Sequence, residues 1–178
     1  MAYMVINYGT TSEPSGHSLA YRDVTETEQA AWEAIIEDVG QTIHDSTFPW
    51  QHLEVDEKSA CLWDDEDRSG YARSLVWYPI NIGTSRWVVV KGVAEDGGGI
   101  SVNVIGEADD YCAAKLTLNN AYAEELANPS FYAGWDEEYS FVSGGHAQLS
   151  VETMDMVIDL RIVSTEQTFV GRGFEYIG

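Results

Sequence analysis

The sequence predicts an α+β fold in which two main helices pack on one face of a mainly antiparallel sheet. Two segments have apolar residues at helical spacing, several β-branched or aromatic runs lie between turn residues, and the elements follow the order β-α-βββ-α-βββ. The chain has 178 residues, 44% of them hydrophobic, which is enough for one packed core. Neither an internal repeat nor a linker is recognisable, so residues 1–178 are predicted to form a single acidic domain.

The first helix has the clearest local signal. A short strand at 3–8 and a loop of turn residues precede it. Thr25-Glu26-Thr27-Glu28 predicts a capping box, because the Thr hydroxyl and the Glu carboxylate satisfy each other's free backbone donors. The helix is predicted over about 26–44. Its apolar side consists of Trp32, Ile35, Ile36, Val39 and Ile43. Residues 45–70 are irregular, with room for a short strand between 52 and 63.

Strands dominate the middle of the chain. They are predicted at 73–80, 85–93 and 99–106, and a glycine-rich hairpin connection joins the last two. A second helix over about 107–127 follows and ends at Asn128-Pro129. Asp109 and Asp110 lie in its first turn, where acidic side chains complement the helix dipole.

The C-terminal third is also predicted as sheet. Residues 154–164 alternate in polarity, with Ile158 and Leu160 on one face and Asp159 and Arg161 on the other. This alternation predicts a half-buried antiparallel strand, and residues 168–177 are its predicted partner.

Net charge is the most unusual property of the sequence. Thirty acidic residues against nine basic ones give a formal charge of −21 and a pI near 4.2. Such a surface repels nucleic acid and anionic membranes, and it attracts basic proteins or cations. Three interpretations are therefore open: solubility or salt adaptation, a binding face for a basic protein, and a cation site.

The expected compartment is the cytoplasm. The N-terminal segment has no basic region followed by an apolar run, and no apolar run approaches the roughly 20 residues that a membrane span needs. Cys61 and Cys112 lie far apart and outside any CxxC motif, which is more typical of free thiols than of a disulfide.

Metal-binding motifs are incomplete. Asp65-x-Asp67-x-Ser69-Gly70 matches the first half of an EF-hand calcium loop, but Val76 stands at position twelve, where a bidentate glutamate is needed. His44, His52 and Glu54 lack the spacing of a zinc site. Neither a bound metal nor a cofactor is predicted.

Catalytic motifs are missing as well. The sequence has no GxSxG, no activated cysteine context and no phosphate-binding glycine loop, and its few basic residues are too scattered for direct nucleic-acid binding. The chain is therefore predicted not to be an enzyme. A divalent-cation-dependent enzyme or ligand-binding domain, with acids lining a cleft, is an alternative.

The acidic residues are clustered, which favours a binding surface. The predicted partner contacts are Asp64, Asp65, Glu66 and Asp67, then Glu33 and Glu37 on the first helix, then Asp136, Glu137 and Glu138, with Trp63 and Trp135 as aromatic anchors. Carboxylates four residues apart rise about 6 Å along a helix. That is comparable to one or two phosphate steps of about 3.4 Å on one DNA strand. Such an array can occupy a groove built for a polyanion.

In size, charge and lack of catalytic motifs, the chain resembles anti-CRISPR and antirestriction DNA mimics, which are small acidic phage and plasmid proteins. The resemblance implies an inhibitor that covers the basic nucleic-acid-binding surface of a nuclease or of a CRISPR or restriction subunit. No family motif matches, so no functional position carries over. Acidic immunity proteins that neutralise a basic nuclease toxin share these features. A salt-adapted structural or virion protein is the remaining alternative.

Overall fold

A computed structural model describes residues 2–10, 18–47, 50–64, 74–95, 99–128, 134–137, 139–151 and 156–166. The first half contains β1 (Ala2–Thr10), β2 (Ser18–Thr25), α1 (Glu28–Asp45), β3 (His52–Val55), β4 (Ala60–Trp63) and β5 (Ser74–Ile82). The second half contains β6 (Trp87–Glu95), β7 (Gly99–Ala108), α2 (Tyr111–Leu126), β8 (Phe141–Ser143), β9 (His146–Ser150) and β10 (Met156–Ser164). The predicted strand at 168–177 lies outside the described residues.

The two halves build sheets of the same topology. The strand order is β2-β1-β5-β4-β3 in sheet A and β7-β6-β10-β9-β8 in sheet B, with antiparallel pairing throughout. Each half is therefore a ββαβββ unit whose helix lies between its second and third strands. The repeat lies in the order of elements, which the amino-acid sequence does not reveal.

The predicted α+β class and mainly antiparallel pairing are confirmed, but the packing of both helices on one face of a sheet is not. Ala31, Ile35 and Val39 of α1 pack on the outer face of sheet A. Ala114 and Leu118 of α2 pack on the outer face of sheet B. A third core cluster joins the inner faces of the two sheets. The layers are therefore α1, sheet A, sheet B and α2, which buries both faces of each sheet.

Each helix begins at a capping side chain. The Thr27 Oγ1 accepts a hydrogen bond from the backbone N–H of Ala30 at 3.2 Å, and the Asp110 Oδ1 accepts one from Ala113 at 2.9 Å. The predicted capping box is wrong, because the Thr25 hydroxyl donates to the Thr27 carbonyl at 3.0 Å instead. The first helix consequently begins two residues later than predicted.

The apolar side of α1 is narrower than predicted. Ile35 and Val39 are buried and Trp32 is partly buried, as expected, but Ile36 and Ile43 are 65% and 46% exposed. The structure also contains β2, which the sequence analysis left unassigned. Its pairing with β1 depends on tertiary register, which local patterning did not indicate.

Candidate functional site

The outward side of α1 has two exposed acidic residues that occupy neighbouring turns, Glu33 and Glu37. Glu33 accepts a hydrogen bond from the Gln29 side chain at 2.9 Å. Within the described part of the chain, neither glutamate forms an ion pair. Both carboxylates are therefore available to a partner.

The acidic stretch that begins at Asp64 contributes less to this surface than predicted. Asp64 is only 3% exposed, so its side chain does not form part of an outer acidic face. Asp65, Glu66 and Asp67 lie outside the described residues. Trp63, on the preceding strand, is half-buried and stacks on His52, with ring centroids 5.2 Å apart.

The third predicted cluster belongs to the other unit of the fold. Glu137 is exposed, Asp136 is half-buried, and Glu138 lies outside the described residues. The Trp135 indole N–H donates to the Leu126 carbonyl at 3.2 Å, and its ring packs against the core beneath α2. Trp135 therefore packs within its own unit. The predicted contacts are divided between the two units. α1 and Asp64 belong to the first unit, whereas residues 135–137 belong to the second.

The β3–β4 hairpin adds acidic residues that were not among the predicted partner contacts. Glu54, Asp56 and Glu57 are exposed and form no ion pair within the described residues. The Asp56 carboxylate accepts hydrogen bonds from the backbone N–H groups of Lys58 and Ser59, at 2.6 and 2.8 Å. These bonds lower the pKa of Asp56 and fix the tip of the hairpin.

Exposed apolar side chains are confined to equivalent elements of the two units. In the described chain, the large exposed hydrophobic residues are Ile36 and Ile43 on α1, Leu53 and Val55 on β3, Tyr111, Leu116 and Leu126 on α2, and Phe141 and Val142 on β8. β3 and β8 are the corresponding edge strands of their sheets. Apolar surface concentrated in this way is typical of interaction sites.

The two apolar groups of the first unit lie on the same side of sheet A. Leu53 and Val55 pair with Leu62 and Ala60 of β4, which face α1. The strand pairings make β2 and β3 parallel, so β2-α1-β3 is a crossover connection, and such connections are almost always right-handed. Both apolar groups therefore lie on the outer side of sheet A, on which α1 packs.

A buried polar cluster lies between the sheets in the second unit. Asp159 is fully buried, and its Oδ1 lies 2.9 Å from the Nε2 of His146. An Arg161 Nη atom lies 3.4 Å from the other ring nitrogen of His146. The predicted half-buried strand is therefore buried on both faces, because sheet A covers the face that carries Asp159 and Arg161.

This cluster also affects Tyr8 of the opposite sheet. Burial raises the pKa of Tyr8 well above its usual value, and the nearby Asp159 raises it further, while Arg161 partly opposes this. The Tyr8 ring packs over Gly92, where a Cβ atom would lie 3.0 Å from the ring. The sequence could have indicated this cluster only through the pairing of β9 with β10, which brings His146 beside Arg161.

No family model matches the chain, and it matches neither a curated protein nor a solved structure. Within the described residues, no group of three or more His, Cys, Asp or Glu side chains has the arrangement of a metal site. No helix of this part of the chain is both long and apolar enough to cross a membrane.

Proposed function

We propose that this protein is a non-catalytic acidic inhibitor that binds the basic nucleic-acid-binding surface of a partner protein. The observation that carries the proposal is a set of exposed acidic residues of the first unit: Glu33 and Glu37 on α1, and Glu54, Asp56 and Glu57 on the β3–β4 hairpin. Hereafter we call these five residues the acidic face. All of them are exposed, and none is neutralised by an ion pair within the described residues.

The apolar residues beside the acidic face support binding rather than solubility alone. Solubility alone does not explain why Ile36, Ile43, Leu53 and Val55 are exposed, because the exposure of apolar side chains to water is unfavourable. Protein interfaces commonly combine an apolar centre with a charged rim. The partner class that fits is a nuclease or a DNA-recognition subunit, whose phosphate-binding groove is rich in Lys and Arg.

Affinity capture in the presence of competitor DNA tests this proposal. The immobilised protein should retain nucleic-acid-binding proteins from a lysate of the organism that encodes it, as identified by mass spectrometry. Double-stranded DNA should release them, because both ligands occupy the same groove. Higher salt should also release them, because it screens the ion pairs.

A matched pair of variants separates a local surface from total charge. Glu33→Gln/Glu37→Gln removes two charges from the acidic face, whereas Glu95→Gln/Glu124→Gln removes two exposed charges elsewhere. Only the first variant should weaken capture. Equal loss in both variants, or capture that DNA does not compete with, would contradict the proposal.

A further inference from the structure

The edge of sheet A at β3 is the most unusual surface of the first unit. The sheet order ends at this strand, so one side of its backbone has no neighbouring strand within the described residues. Leu53 and Val55 are 51% and 57% exposed, whereas their β4 partners Leu62 and Ala60 are buried. β3 therefore combines a free backbone edge with exposed apolar side chains at alternate positions.

The hydrogen-bond pattern identifies the backbone groups that face outwards. The N–H of Asp56 donates to the Ser59 carbonyl at 3.0 Å and closes the hairpin. Bonded and non-bonded pairs alternate along an antiparallel ladder, so the pair of Val55 with Ala60 is non-bonded. The backbone N–H and carbonyl groups of Val55 therefore point to the outer edge of the sheet. Those of Leu53, two residues earlier, point the same way.

β3 is short and carries one charged side chain, Glu54, which are two of the ways in which natural edge strands limit pairing, but within the described residues it lacks others. Natural edges are blocked by lysine, proline, a bulge or a covering segment. The strand sequence His-Leu-Glu-Val contains neither lysine nor proline, and its pairing with β4 has no register shift. An edge strand with exposed apolar side chains at alternate positions is a template for another strand.

We propose that β3 is a docking strand that binds an extended basic segment of the partner by strand addition. The inference rests on the proposed function, since it takes the partner to be basic. Alternate apolar residues of that segment would contact Leu53 and Val55. Its other side would present Lys or Arg to Glu54 and to the hairpin acids. The recognised sequence therefore alternates apolar and basic residues.

Charge complementarity favours such a segment over a second copy of this chain. Two copies paired through β3 would bring their Glu54 side chains and hairpin acids together, on chains that each carry a formal charge of −21. A basic segment instead neutralises the same carboxylates. The edge and the acidic face then bind one partner together.

The test uses a defined peptide and fluorescence anisotropy. The probe is a labelled, end-capped octapeptide of alternating valine and lysine, and its control has the same composition with the four valines contiguous. The alternating peptide should bind more tightly, because only it can place every valine on the apolar side of an added strand.

The edge itself is tested with Val55→Pro. Proline at this position removes an outward N–H without removing a β3–β4 hydrogen bond, and edge strands tolerate proline where the N–H faces solvent. Binding of the alternating peptide should weaken at least about tenfold, which is about 1.4 kcal/mol. Thermal unfolding and circular dichroism show whether the variant is folded.

A second arm leaves the protein unchanged. Methylation of alternate backbone nitrogens of the peptide blocks strand pairing and should weaken binding to the wild-type protein to a similar degree. Equal binding of the methylated and parent peptides would overturn the docking strand, as would undiminished binding by folded Val55→Pro. A wild-type dimer that Val55→Pro dissociates, measured by sedimentation equilibrium, would overturn it in favour of self-association.

The two proposals fail differently. If captured proteins depend on Glu33 and Glu37 but not on Val55, the acidic inhibitor stands and the docking strand is wrong. If the alternating peptide binds through Val55 while no basic protein is captured, strand addition stands and the proposed function is wrong.

Discussion

The two ββαβββ units share one topology but differ in what they bury between the sheets. In the first unit, the inner positions of β5 are Val76, Tyr78, Ile80 and Ile82. In the second, the inner positions of β10 are Val157, Asp159, Arg161 and Val163. The same architecture therefore forms with an uncharged strand in one unit and with an acidic and a basic residue in the other.

This difference shows that the ββαβββ topology forms without charged residues at the positions that correspond to Asp159 and Arg161. The Tyr78 hydroxyl donates a hydrogen bond of 2.7 Å to the Ile100 carbonyl of the opposite sheet. Asp159, by contrast, has an oxygen without a hydrogen-bond partner among the described residues, which is costly for a fully buried carboxyl group. The second unit thus buries a carboxyl group between the sheets where β5 has none, although the first unit also buries Asn7, whose side-chain amide has no hydrogen-bond partner among the described residues.

The outer surfaces differ in the opposite way. The outward side of α1 carries Glu33 and Glu37, whereas the outward side of α2 carries Leu116 and Asn120. The exposed surface of α1 is therefore acidic, whereas α2 exposes Lys115 and Glu124 and its surface is nearly neutral. A basic partner should therefore bind the first unit in preference to the second.

The largest expected effect comes from breaking the buried cluster. Asp159→Ala should lower the free energy of unfolding by about 3 to 5 kcal/mol, because it removes the acidic partner of His146 and leaves the basic Arg161 buried beside it. The double variant Asp159→Val/Arg161→Ile makes the second unit resemble the first. Its free energy of unfolding should fall by less than about 2 kcal/mol. Urea unfolding measures both values. If the double variant is no more stable than the single one, the comparison between the units does not hold.

Two adjacent isoleucines of α1 give the next largest effect. Ile35 is fully buried, so Ile35→Ala should destabilise the protein by about 3 kcal/mol through lost burial and a cavity. Ile36 is 65% exposed, and Ile36→Ala should change stability by less than about 0.5 kcal/mol. Thermal and urea unfolding distinguish them. Similar losses at both positions would contradict the packing of α1 on sheet A.

Alkaline pH should destabilise the protein through Tyr8. Burial raises the pKa of Tyr8, so the folded state holds this proton to a higher pH than the unfolded state. Above about pH 10 the unfolded tyrosine ionises first, and the free energy of unfolding should fall by up to about 1.4 kcal/mol per pH unit. Below that pH the two states bind the same number of protons, and this contribution is constant.

Tyr8→Phe isolates this effect. Burial also raises the pKa of Tyr78 to about 12 and that of Cys61 to about 11, but both groups are present in the two proteins and cancel in the comparison. The wild type should lose stability more steeply than Tyr8→Phe in urea titrations between about pH 9 and pH 11. Parallel curves would show that Tyr8 ionises with its ordinary pKa.

The parts of the fold that depend on local signals could be predicted from the sequence. The second helix was expected over about 107–127 and spans Tyr111–Leu126, so its end was predicted from Asn128-Pro129. Its predicted start is wrong, because residues 107 and 108 belong to β7 and Asp110 is the N-cap rather than part of the first turn. The exposure of Glu33 and Glu37 followed from helical spacing in the same way.

The parts that depend on contacts between distant segments could not be predicted. The alternation of polar and apolar residues in β10 predicts that Asp159 faces solvent. Asp159 is buried instead, because sheet A packs over that side of the strand. Asp64 was expected at the surface from its acidic neighbours, but it follows a strand beneath α1 and is buried. The use of two sheets rather than one depends on pairings across the chain, such as β1 with β5.

The smallest expected effect compares the caps of the two helices, which occupy equivalent places in the two units. Thr27→Ala and Asp110→Ala should each cost about 1 kcal/mol, because each removes the acceptor for a backbone N–H in the first helical turn. Thr25→Ala is the matched control, since its hydroxyl only donates to the Thr27 carbonyl, and it should cost less than Thr27→Ala. Urea unfolding of the three variants decides between the caps. A larger loss at Thr25 would restore the capping box and place the start of α1 two residues earlier.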